Sequence, residues 1–200
     1  MSLTWQHPFC AIVAGPSGSG KTHFVKKFIE NANLIMNPPP LNITYCYGAY
    51  QAMFDEMSAV EFHEGLPDHK TLQPRTLLII DDLMTEADQR VTNIFTKHSH
   101  HQGVSVMFLT QNIFYKGART MSLNAHYLVL FKNPRDASQI TFLARQIFPL
   151  KSKFMIEAYE DGTSGPYSFL VLDLKPTTSD KMRLRSGIFP GDAHYAYAPR

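Results

Sequence analysis

Cysteine is scarce in this chain: Cys10 and Cys46 are the only two, and each sits inside an apolar, strand-like run. So few thiols exclude a disulfide framework, fit a reducing compartment and read as small buried core groups. An excess of charge of one sign is also missing, since 19 Lys and Arg against 17 Asp and Glu leave a net +2. That balance announces no broadly basic surface. Any nucleic-acid contact must come from local clusters, or from several copies of the chain around one duplex. No apolar run approaches the ~18 residues of a membrane-spanning helix. The opening MSLTWQHPF has no basic segment leading into an apolar one, as a signal peptide would. The expectation is a soluble intracellular protein without a membrane span. Internal repeats are absent, as is any linker long enough to separate one domain from another.

What the chain does have is apolar material, 44% of 200 residues, enough for the core of one domain. Apolar runs predict strands over 9–14, 43–47, 76–80, 104–110, 126–131 and 168–173. Helical periodicity predicts helices over 21–31, 86–100, 136–148 and 152–159. The helix over 136–148 is expected to open on a capping box of Asp136 and Gln139. Pro38, Pro39 and Pro40 make a stiff connector, and 50–75 reads as one short helix and a loop. Strands alternating with helices imply an α/β fold, a mostly parallel sheet flanked by helices with right-handed crossovers. The domain is expected over 1–175, with 176–200 as an extended C-terminal tail.

The chemistry sits where two of these strands end. Gly15, Pro16, Ser17, Gly18, Ser19, Gly20, Lys21 and Thr22 match G-x-x-x-x-G-K-[ST] at every fixed position, after a buried strand and before an amphipathic helix. Glycines let successive backbone N–H groups turn toward phosphate oxygens, and the helix adds the positive end of its dipole. Lys21 is expected on the β- and γ-phosphates of ATP, and the Thr22 hydroxyl on Mg²⁺. Leu77–Ile80 followed by Asp81 and Asp82 is a candidate Walker B strand. Asp81 would join the Mg²⁺ shell, and Asp82 stands where a carboxylate can polarise the attacking water. Gln111 ends the fourth strand; with that strand between the first and third it would face the γ-phosphate. A solvated strand end is the plainer reading of Gln111.

With GPSGSGKT (15–22), LLIIDD (77–82), SHH (99–101), LTQN (109–112) and RTMSLNAHYLVLFKNPRD (119–136), the chain resembles the FtsK–HerA superfamily of P-loop ATPases. Within it, the likeness is to the genome-packaging ATPases of poxvirus-like and other double-jelly-roll viruses and of Polinton elements. It covers roughly residues 9–150. The resemblance implies a RecA-like core with a strand inserted between the two Walker strands. It implies a ring, usually a hexamer, that translocates double-stranded DNA in the host cell and meets capsid or portal-vertex proteins. Lys21, Thr22, Asp81, Asp82 and Gln111 match its motif positions. A ring ATPase also needs a cation from the neighbouring subunit, and Arg119, Arg135 and Arg90 are the candidates. FtsK-type motors place that arginine on the helix before the sensor strand, where this chain has Lys97, His98, Ser99, His100, His101 and Gln102.

His98, His100 and His101 lack a Cys or carboxylate partner at metal-ligand spacing, so a polar subunit contact or a solvated helix end suits them better. Lys181, Arg183 and Arg185, and separately Lys116 and Arg119, are the basic clusters available to DNA or simply to solvent. Two other classes remain open at this point. A small P-loop nucleoside or metabolite kinase has a similar size, but would carry an arginine-rich lid and does not need the tandem aspartates. A nucleotide-gated scaffold would bind ATP without turning it over.

Overall fold

The computed structural model describes residues 4–81, 83, 89–113, 118–135 and 137–199, with the backbone alone for 89, 97, 98, 100, 101, 118 and 119. Its strands are β1 (Trp5–Gln6), β2 (Cys10–Ala14), β3 (Met36–Asn37), β4 (Asn42–Tyr47), β5 (Glu61–Glu64), β6 (Thr76–Asp81), β7 (Ser105–Thr110), β8 (Tyr127–Phe131), β9 (Phe169–Asp173), β10 (Leu184–Ser186) and β11 (Tyr195–Tyr197). The α-helices are α1 (Lys21–Glu30), α2 (Ala32–Ile35), α3 (Gln89–Asn93), α4 (Ser99–Gln102), α5 (Ala118–Asn124), α6 (Ser138–Ile147) and α7 (Ser152–Gly162).

Nine strands form one sheet in the order β11-β10-β9-β8-β2-β7-β6-β4-β5, and β1 pairs with β3 apart from it. From β8 through β5 every neighbouring pair is parallel, while β9, β10 and β11 add antiparallel strands beyond β8. The central strands are apolar at nearly every position because both of their faces are covered. In β2, Cys10, Ile12 and Ala14 enter one core and Ala11 and Val13 the other. The strands β6 and β7 divide in the same way, with Leu78, Ile80, Val106 and Phe108 on one face and Leu77, Ile79, Met107 and Leu109 on the opposite one. The first core is completed by Phe95, Leu143 and Met155 from the helices, the second by Phe24 and Phe28 of α1 and by Trp5, which stacks on Tyr127 at 4.0 Å. Both cysteines are free and buried, and burial pushes the thiols up to about 11 for Cys10 and about 12 for Cys46.

Several expectations are corrected. A strand, β5, lies inside the 50–75 stretch, pairing parallel with β4 at the sheet edge. Its sequence EFHE offers only Phe62 to the core, which packs 4.8 Å from the ring of Phe54. The helix expected over 86–100 is described from Gln89 and carries a π segment, Ile94–His98, before α4. The N-cap of α6 is Ala137, with no side-chain cap bond, and Asp136 lies outside the described residues.

The largest difference is after residue 176. Instead of an extended tail, this segment supplies β10 and β11 and buries Leu184, Ile188 and Phe189. Phe189 joins the core of α1, its ring 5.4 Å from Phe24 and 6.0 Å from Phe169. Arg185 is buried and donates to Asp173 Oδ2 at 2.9 Å. Arg183 donates to the carbonyls of Asp173, Lys175 and Thr178. Two of the three tail cations offered for DNA are therefore committed to holding the tail in place. Removing a buried ion-pair partner leaves a charge uncompensated, which opposes any role for Arg185 on a phosphate. As part of the core, Phe189→Ala should lower stability by about 3–5 kcal/mol in urea unfolding. A loss below about 1 kcal/mol would mean that the segment is not packed as described.

Candidate functional site

The strands β2, β7 and β6 run parallel, with Ala14 level with Thr110 and Leu109 level with Asp81. Their carboxyl ends therefore lie side by side, the edge where open α/β sheets bind ligands. The loop 15–20 leaves β2, Asp81 closes β6, and Gln111 follows β7. The inserted strand thus lies between the other two, as expected.

The loop is held tightly. Gly15 N–H donates to Thr110 O at 3.1 Å, and a Cβ on Gly15 would lie 2.6 Å from both Phe131 Cβ and Ser19 Oγ. No side chain fits there. Gly20, the N-cap of α1, has φ 105, a conformation costly for any residue but glycine. The helix that follows starts at Lys21, so its first turn directs backbone N–H groups into the loop. Lys21 Nζ donates to Gly15 O at 2.7 Å and to Pro16 O at 3.1 Å, which folds the ammonium over the same concavity. Ser19 Oγ is buried without a protein hydrogen-bond partner among the described residues, an arrangement that suits an acceptor oxygen in the loop. A cradle of N–H groups, a helix N-terminus and a lysine fits an anion such as a polyphosphate.

Asp81 is buried, and Tyr45 of the neighbouring β4 donates its hydroxyl to Asp81 Oδ2 at 2.6 Å. Burial, and then the nearby Asp81 carboxylate, push the Tyr45 phenol far above its usual range, so it stays a donor at any working pH. Sequence alone does not point to Tyr45, which reads as one more apolar residue of a strand. Asp81 and Thr22 carry side-chain oxygens, the hard donor type that Mg²⁺ takes. Among the described residues no group of three or more His, Cys, Asp or Glu forms a metal cluster, and no helix is long and apolar enough to cross a membrane.

Gln111 is exposed and borders a small crevice with Gly15, Asn133 and Gln139. Asn133 and Gln139 carry no local sequence signal for this position, and the turn after β8 brings them to the loop. Asp82 lies outside the described residues. The three arginines separate. Arg90 donates to Leu66 O at 3.1 Å. Arg135 is exposed on the turn after β8, where its N–H donates to Asn133 Oδ1 at 3.2 Å. Arg119 stands on α5, its side chain outside the described atoms, as are those of His98, His100 and His101. Lys116 also falls outside the described residues.

No family model and no curated protein matches the sequence. Solved structures do. The genome-packaging NTPase of Sulfolobus turreted icosahedral virus 2, solved with ATP-gammaS, superposes with a TM-score of 0.57 at 14% identity, over 96% of this chain and 97% of that one. The cytoplasmic domain of EssC gives 0.46 at 19% identity over 65% of this chain and 31% of that one. A KaiC-like protein of Pyrococcus horikoshii gives 0.46 at 12% identity over 96% and 91%. The fold is that of a P-loop NTPase: α/β, RecA-like, a large mostly parallel sheet flanked by helices.

The Tyr45–Asp81 pair generates a test. Tyr45→Phe should cost about 1.5–3 kcal/mol, as for a hydrogen bond to a charged group, and clearly less in an Asp81→Ala background. Additive costs in a denaturant double-mutant cycle would show that the two side chains do not interact.

Proposed function

We propose that the chain is an ATP-hydrolysing motor subunit that assembles into a ring, a hexamer on the resemblance, and packages double-stranded viral DNA into a capsid. The observation that carries this reading is the convergence of the 15–22 loop, Asp81 and Gln111 on the ends of three adjacent parallel strands. Whole-length superposition on a genome-packaging NTPase is consistent with it at the level of fold.

In this reading the loop N–H groups and Lys21 hold the β- and γ-phosphates, and Thr22 and Asp81 hold Mg²⁺. When bound there, Mg²⁺ would offset negative charge on the phosphate oxygens. Tyr45 fixes the carboxylate of Asp81, so that its orientation does not depend on the ligand. Asp82 accepts the proton of the attacking water, and Gln111 orients that water and reports the state of the site to the crevice at Asn133 and Gln139. A neighbouring subunit completes the site with Arg119 or Arg135. Arg90, bound to a carbonyl of its own chain, is the poorer candidate. DNA contacts fall to residues outside the C-terminal pair Arg183 and Arg185. Capsid or portal-vertex proteins are the further partners, in the host cell or on the virion.

Purified protein should hydrolyse ATP faster with duplex DNA present. Lys21→Ala or Asp82→Asn should reduce turnover by at least ~10²-fold. Mass measurement with ATP and DNA should find a ring. Full hydrolysis by Asp82→Asn would remove the assigned base, and a monomer under every condition would contradict the motor. A rate indifferent to DNA but raised by a nucleoside acceptor would favour a kinase.

A further inference from the structure

A cavity of about 790 Å³ opens where the phosphate loop ends. Gly20 and His23 border it, followed by Phe24 and Lys27 farther along α1. The turn 164–168 faces them, and residues 186–197 close the side. Its size lies within the range of ligand pockets.

From this arrangement we infer that the cavity is the nucleoside subsite of the bound nucleotide, and that the C-terminal segment is its wall. The inference rests on the reading of the 15–22 loop as the phosphate cradle. The geometry is continuous, because Gly20 and His23 belong both to the start of α1 and to the cavity, so a ligand leaving the cradle enters it directly.

The lining has the chemistry for a nucleobase. Tyr167 lies across the loop end, its Cδ1 3.0 Å from where a Cβ on Gly20 would sit, yet the residue is 67% exposed. Its φ is 57, unusual for a bulky side chain, and this conformation holds the ring over the loop rather than against the core. Tyr195 is a second exposed ring at the rim, and Phe24, Phe169 and Phe189 form an apolar floor. Aromatic faces of this kind accept a planar heterobase by stacking. Asp161 and Ser186 add side-chain oxygens to the lining, both already bonded to Tyr197.

The wall is latched to both sides of the cavity. Tyr197 donates to Asp161 Oδ2 at 2.6 Å, Lys27 pairs with Asp192 at 3.0 Å, and the Lys27 ammonium lies 4.6 Å from the centre of the Phe189 ring. A nucleoside between α1 and this wall touches both, so its binding free energy stabilises the docked segment. The C-terminal strands then respond to the nucleoside and not to the phosphates alone.

Calorimetry on the full chain with Mg²⁺, using ATP and inorganic tripolyphosphate as separate ligands, tests this. Tyr167→Ala should bind ATP about tenfold more weakly, the effect of one lost base–aromatic stack, with tripolyphosphate affinity unchanged. Tyr167→Phe should keep both affinities. Amide exchange over 184–197 should slow with ATP and not with tripolyphosphate. Unchanged ATP binding by Tyr167→Ala, an equal loss for both ligands, or equal protection by tripolyphosphate would overturn the subsite. Wild-type protein that binds neither ligand would overturn the phosphate cradle itself, and the subsite with it.

Discussion

Because β2, β7 and β6 are parallel and in register, whatever follows each strand is delivered to the same edge of the sheet. The rest of the site depends on that pairing. It explains why residues far apart in sequence, 15–22, 81 and 111, come together without a linker or a second domain. The close fit of Gly15 against Phe131 and Ser19 then fixes the loop, and the Gly15–Thr110 hydrogen bond ties it to the end of the inserted strand. A change at Gln111 is thus one peptide away from a bond that holds the loop. That is a short physical route between a polar strand end and the 15–22 loop.

Asp81 illustrates how a buried acid is kept in one orientation. A carboxylate that loses water must recover hydrogen bonds, and Tyr45 supplies one from the adjacent strand. The same principle operates at the far edge, where Arg185 and Asp173 neutralise each other inside the antiparallel extension. That extension joins the C-terminal segment to the main sheet and brings it against α1, the helix that begins at the 15–22 loop.

Legibility in the sequence follows burial. The strands β2, β6, β7 and β8 are covered on both faces, so their apolar runs stand out, and α1 and α6 show clean helical stripes. The edge strand β5 is hidden because EFHE buries a single ring, and edge positions place little demand on composition. The strands β10 and β11 are three residues each, and one buries an arginine through an ion pair that no local pattern reveals. The π segment at 94–98 departs from the 3.6-residue period on which helix reading relies. For the candidate site, the placement of the glycine–lysine loop and of Asp81 at strand ends is legible because a tight backbone turn and a buried strand constrain residue type strongly. Tyr45, Asn133, Gln139 and Tyr167 are not, because each is brought to the site by tertiary packing from a distant segment.

The central claim is that the 15–22 loop binds a nucleoside triphosphate with Mg²⁺, and thermal unfolding with and without ligand tests it most directly. At an ATP concentration about 100-fold above its dissociation constant, wild-type protein should gain about 2.7 kcal/mol and several degrees in Tm. Lys21→Ala should gain little. No shift in the wild type, or an equal shift in Lys21→Ala, would contradict the account.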